Sequence, residues 1–231
     1  MKKSLLVVAL LSAFAPMVAQ AEAGDIVVRV RAVSVSPNED SKLGQYVNAI
    51  NSAYLNTGAE LAVDNNVIPE LDISYYLTKN IAAELILATG TRHDVSIKGS
   101  SGSDVVLNQE LGSVNLLPPT LTLQWHFNPD QTIDPYVGAG VNYTIGLDRK
   151  LKFSQTLPFD NIKIDKASFG YALQAGLDVN LKDGWLINAD VKYVSIDTAV
   201  KMQTISSGVW TKIDNLDINP WVFGVGIGKK F

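Results

Sequence analysis

The chain has 231 residues, a formal net charge of −4 at neutral pH, 47% hydrophobic residues and no cysteine. An acidic balance argues against nucleic acid as a partner, because binding to the phosphate backbone rests on an excess of lysine and arginine. Without cysteine there is no disulfide framework, so closure of the fold falls to backbone pairing and packing.

Met1-Lys2-Lys3 is a short cationic start, Leu5 to Val18 is apolar, and Ala19-Gln20-Ala21 supplies the small residues of a cleavage site. Residues 1–21 are therefore predicted to be a removable signal peptide, with one mature domain over 22–231. A permanent helix would want about 18 continuous apolar residues, and Ser12 and Pro16 interrupt this run. Loss of Lys2 and Lys3 takes the charge from −4 to −6. No later apolar run is long enough for a membrane helix; a strand barrel stays open, because its lipid-facing residues alternate with polar ones.

Period-two alternation then recurs along the chain. In the first predicted strand Ile26, Val28, Val30 and Ala32 share one face, with Arg29 and Arg31 on the other. The second alternates Leu71, Ile73, Tyr75 and Leu77 with Glu70, Asp72, Ser74 and Tyr76. After Thr78-Lys79-Asn80 the third sets Ile81, Ala83, Leu85 and Leu87 against Ala82, Glu84 and Ile86. The fourth sets Leu121, Leu123, Trp125 and Phe127 against Thr120, Thr122, Gln124 and His126, and turns through Asn128-Pro129-Asp130. The fifth, Tyr136 to Thr144, has Val137, Ala139, Val141 and Tyr143 outward and Gly138, Gly140 and Asn142 inward, where missing side chains leave room in a narrow cylinder.

The sixth runs from Ser168 to Leu181, with Gln174 and Asp178 opposite its apolar face, and Lys182-Asp183-Gly184 is its turn. The seventh sets Trp185, Ile187, Ala189, Val191 and Tyr193 against Asn188, Asp190 and Lys192. The eighth sets Trp221, Phe223, Val225 and Ile227 against Gly224, Gly226 and Gly228. The breaks near 79, 130 and 183 are short, whereas the intervals 37–66, 90–116, 146–167 and 199–212 are long. These features predict an all-β fold: an eight-stranded antiparallel transmembrane β-barrel with short periplasmic turns and long extracellular loops. Aromatic residues near strand ends (Tyr75, Trp125, Phe127, Trp185, Tyr193, Trp221, Phe231) fit interfacial girdles in outer-membrane lipid. A soluble lipocalin-like barrel also alternates, but its outer face would carry lysine and glutamate where this chain has glycine.

Several stretches resemble the OmpW/AlkL family of small outer-membrane proteins: Ala23-Gly24-Asp25, Thr78 to Leu85, Leu117-Pro118-Pro119-Thr120-Leu121 with Gln124-Trp125, Pro135 to Tyr143, and Asp217 to Phe223. The resemblance covers essentially the whole mature chain. It implies a barrel that helps small hydrophobic molecules cross the outer membrane, entering from outside and leaving sideways into the bilayer. It also places a constriction at Ile86 and Lys192, so one wall of the narrowing is cationic here rather than apolar.

The inward set of Arg29, Arg31, Asp72, Glu84, Asp178, Asp190 and Lys192 is expected to pair into a plug in the periplasmic half. Pro37, Pro69, Pro118 and Pro119 fall near the long-loop ends of strands; each removes a ladder donor, which makes them candidates for a lateral gate as well as for strand termination. Tyr46, Tyr54, Leu55, Val105, Val106, Leu107 and Leu111 are candidates for an apolar funnel in the loops. No cofactor or metal site is expected: there are two histidines, His126 reading as a lumen residue and His93 as a solvated loop residue. The glycine-rich strand segments lack dinucleotide or Walker spacing. Two alternatives remain, a structural or receptor-type surface barrel without transport and a lipid-modifying outer-membrane enzyme, and the sequence leaves the oligomeric state open.

Overall fold

The computed structural model describes residues 22–41, 60–88, 91–98, 109–151, 159–204 and 208–231. The segment 1–21 read as a signal peptide lies outside them, as do the funnel candidates Tyr46, Tyr54, Leu55, Val105, Val106 and Leu107. The strands in chain order are β1 (Ile26–Ser36), β2 (Glu60–Val63), β3 (Asn66–Tyr76), β4 (Ile81–Ala88), β5 (Thr91–Lys98), β6 (Gln109–Leu117), β7 (Thr120–His126) and β8 (Ile133–Asp148). They continue with β9 (Lys150–Leu151), β10 (Phe159–Ile164), β11 (Ala167–Asn180), β12 (Trp185–Val194), β13 (Asp197–Thr204), β14 (Trp210–Asp217) and β15 (Trp221–Lys230).

Eight of them close a ring in the order β1-β3-β4-β7-β8-β11-β12-β15, every pair antiparallel, with β15 returning to β1 and β8 pairing with β11 from Ile133↔Val179 to Ile145↔Ala167. Closure leaves no strand edge in the membrane-spanning part, as hydrocarbon demands. The alternation predicts the faces correctly. Val30, Leu123, Val141, Phe223 and Val225 stand exposed on the outside, while Arg29, Arg31, Asp72, Glu84 and His126 are buried inside. The three short connections all lie at one rim.

At the opposite rim the structure departs from the expected loops. Much of 90–116, 146–167 and 199–212 is strand: β5 pairs with β6, β10 with β9 and β13, and β13 with β14, while β6 also pairs with the outer end of β8. These stretches alternate like the barrel strands, so their apolar faces, including Val95, Leu151, Ile162 and Val200, can pack with Leu61 of β2 and Leu216 of β14 as one outer core. The barrel wall thus continues outward as paired strands.

The inner face changes character along the axis. Near the short turns it holds Val27, Tyr76, Ala82 and Leu186; above them come the charged residues, then an apolar layer of Val33, Val35, Ile68, Ala88 and Val222. β1 spells this order in one strand, as Val27, Arg29, Arg31, Val33 and Val35.

Neighbouring strands make room for the large inward side chains. Arg29 sits across from Asp72 on one side and Gly228 on the other, and Arg31 from Glu70 and Gly226. A Cβ on Gly226 would meet the Arg31 side chain and β1 backbone, and one on Gly176 would fall on the Tyr136 ring. Gly176→Val should therefore destabilise the barrel by about 1–3 kcal/mol through overpacking. Ala175→Val, on the lipid face, should change little. Heat-dependent mobility of the folded protein in unboiled gels, followed over a temperature series, measures the difference.

Candidate functional site

The site is built from two stacked zones of the lumen. In the lower one Arg29 Nη2 lies 2.5 Å from Asp178 Oδ2, and its Nη1 donates to Ser74 Oγ at 2.6 Å and reaches Glu84 at 3.4 Å. Arg31 donates through Nη2 to Glu84 Oε1 at 2.7 Å and through Nη1 to Asp190. Its Nε is 2.6 Å from Asp72 Oδ2, an ion pair in which the N–H is not aimed at the oxygen, so both Asp72 oxygens lack a hydrogen bond. Lys192 Nζ binds Glu70 Oε1 at 2.5 Å and Asp190 Oδ2 at 3.1 Å. Gln124 and Gln174 donate to Glu84 Oε2 at 2.7 and 3.0 Å.

All seven residues predicted for the lumen set are thus brought into one buried network. The sequence reading missed Glu70, Ser74, Gln124 and Gln174 as members, although all four alternate onto the same inner face. Three cations face five carboxylates, Glu70, Asp72, Glu84, Asp178 and Asp190, all buried.

Nearer the short-turn rim His126, Asp134 and Asp178 place one ligand atom each within 4.8 Å of one another. The donor set does not fit an open metal centre. His126 Nδ1 is 2.7 Å from Asp134 and its ring stacks on Tyr136, while Asp178 is held by Arg29 and by Asn188 at 2.7 Å. The three are already spent on each other and on their neighbours.

Above the network lies a part-enclosed apolar cavity of about 70 Å³. Ile86 and Lys192 both contribute to its lining, together with Glu70. The walls are Val33, Val35, Ile68, Val114, Leu116, Val194 and Ile218, and Pro37 and Pro118 also line it. A second apolar cavity in the outer core shares Val63, Val114 and Ile218 with the first, which gives an apolar succession outward. Leu111, the described funnel candidate, is buried in that outer core. Val33, Val35, Ile68, Val114, Leu116, Val194 and Ile218 were not singled out in the sequence; continuing the period-two count beyond Arg31 and Lys192 would have found Val33, Val35 and Val194. His93 is corrected: it sits on β5, 5% exposed, and lines the cavity rather than facing water.

Of the gate candidates, Pro69 is exposed on the outer wall and pairs in register with Ala32 of β1. The β3–β4 pairing is described as far as Glu70↔Ala88, and residues 89 and 90, which come next, lie outside the described residues; beyond them Asn66 Nδ2 donates to Arg92 O at 2.7 Å, Asp64 N donates to Asp94 O at 3.2 Å, and β2 pairs with β5 from Val63↔Val95 in the same register. Pro118 and Pro119 lie just past Ile86↔Thr120, the last pair of β4 with β7. At Pro37 the wall is rejoined at once, by Asn38 N donating to Ile218 O at 2.9 Å.

Comparison with known proteins agrees with this geometry. The sequence model of the OmpW family matches residues 22–231. The chain belongs to the OmpW family. It is 36% identical to outer membrane protein W of Vibrio cholerae over 235 residues, covering the whole of both chains. The crystal structure of OprG from Pseudomonas aeruginosa superposes with a TM-score of 0.74 at 28% identity, covering 91% of this chain and 97% of that one. AlkL, solved in DMPC lipid bilayers, gives 0.58 at 25% identity over 92% of each chain. This OmpW-family chain is an outer-membrane β-barrel, its exposed apolar belt lying against lipid.

Removing one partner of a buried ion network leaves the others uncompensated. Arg31→Met should cost about 3–5 kcal/mol, read as a lower denaturant midpoint for unfolding from lipid vesicles. Adding Glu84→Gln to that variant should recover part of the loss, because it removes a stranded charge.

Proposed function

We propose that the protein is a passive outer-membrane conduit for small hydrophobic molecules, with no catalytic step. The observation that carries this reading is the stacking of an apolar cavity directly on a charged, hydrogen-bonded lumen. An apolar passenger entering from outside finds apolar walls as far as Ile86 and Lys192. To go straight on it would have to separate paired ions, at several kcal/mol per ion. Arg29, Arg31, Asp72, Glu84, Asp178, Asp190 and Lys192 therefore act as a plug, and the way out is sideways.

Pro69 supports that exit: it stands on the outer wall, paired with Ala32 of β1, and has no N–H to give to the strand on its other side. Pro118 and Pro119 interrupt pairing on the other flank of the outer end of β4. In this reading Pro69 and the Pro118-Pro119 pair form the lateral gate, Pro37 lines the cavity, and the outer core with Leu111 provides the funnel.

Vesicles carrying the folded protein should take up a small hydrophobic solute faster than protein-free vesicles; equal rates would end the transport reading. The chain has no cysteine, so Asn66→Cys with Arg92→Cys gives one bridging site beside Pro69. Bridging should slow uptake several-fold and reduction should restore it, whereas uptake indifferent to the bridge would remove the lateral exit.

A further inference from the structure

The cavity is apolar along most of its walls, and its few polar atoms divide into satisfied and unsatisfied ones. Thr120 Oγ1 donates to Pro118 O at 3.1 Å, and Asn142 Nδ2 donates to Thr120 Oγ1 at 2.7 Å. Asn142 Oδ1 accepts from Thr144 Oγ1 at 2.7 Å, and Lys192 is held by Glu70 and Asp190. Two lining atoms are left without a donor among the described residues, His93 Nε2 and Glu70 Oε2.

His93 is the more telling. Its Nδ1 lies 3.1 Å from the carbonyl oxygen of Asp64. A carbonyl only accepts, so Nδ1 carries the proton and the other nitrogen of a neutral imidazole is an acceptor. The ring is 5% exposed and lines the apolar cavity. An acceptor on the cavity wall that meets no donor among the described residues can take one from a ligand.

We propose that the cavity is selective for apolar molecules bearing one hydroxyl group, a long-chain alcohol or a phenol, whose O–H donates to His93 Nε2 while the hydrocarbon lies against Val114, Leu116, Val33 and Ile68. The same chemistry disfavours carboxylates. An anion would face Glu70 and, behind it, a network in which carboxylates outnumber cations, and it offers no proton to His93. A plain alkane fits the walls but leaves Nε2 unmatched. This inference rests on the cavity being the passenger's site.

The chain has only two histidines, so histidine-labelled protein in lipid nanodiscs gives two ring systems, and His126 in the lower lumen serves as an internal control. Titration with decanol should shift the His93 Nε2 resonance and leave His126 in place; decane at equal occupancy should not move it. In uptake by vesicles, the preference for decanol over decane, each corrected for protein-free permeation, should fall by about two- to tenfold in His93→Phe, as expected for one hydrogen bond. His93→Gln, which offers a carbonyl acceptor, should recover part of it.

Equal shifts with decane and decanol, or an unchanged preference in His93→Phe, overturn the proposal while leaving the conduit intact. Decanoate taken up in preference to decanol also overturns it, because that would require a donor at His93. No protein-dependent uptake of any of the three ends the conduit reading itself. The resonance measurement on the unaltered protein keeps the test valid if His93→Phe fails to fold.

Discussion

Hydrocarbon offers no hydrogen-bond partner, so every backbone N–H and C=O in contact with lipid must be paired within the chain. The β8–β11 ladder, which turns a sheet into a ring, meets that demand for the membrane-spanning strands. Closure with only eight strands makes the interior narrow, and the narrow interior sets everything else. Each inward residue touches residues from several strands, so Arg31 of β1 reaches Glu84 of β4 and Asp190 of β12 across the lumen. Glycines on the neighbouring strand are what make space for it.

Ionic groups crowded in this way must be matched to each other, and the match is best in the lower half, where two arginines bridge carboxylates from four strands. Higher up the inner face becomes valine, isoleucine and alanine, and the same narrowness produces an apolar cavity instead of a salt-bridge network. The boundary between the two zones, at Glu70, Ile86 and Lys192, is the feature from which the functional reading follows. Outside that boundary the strands continue as a second set of hairpins, whose apolar faces cover one another.

The backbone pattern was legible because barrel strands alternate with period two and a one-residue error would invert every face. Ile26 to Ala32, Leu71 to Leu77 and Trp221 to Ile227 all point as their alternation requires. The extent of pairing was less legible. Stretches such as Thr91–Lys98 and Asp197–Thr204 are short and polar on one side, and they become strands because partners from other hairpins cover their inner faces. His93 illustrates the error: in a loop it would be solvated, but on β5 it points into the cavity.

The sequence by itself determined the compartment, the eight strands of the barrel, their inside and outside, and the charged residues of the lumen, because these depend on local periodicity and composition. Which ions pair, where the charged zone gives way to the apolar one, and which prolines line the cavity were decided only by the tertiary structure. The reason is register. Strands far apart in sequence meet at heights set by ring closure and stagger, and no local pattern encodes the height at which Glu84, Asp190 and Arg31 converge.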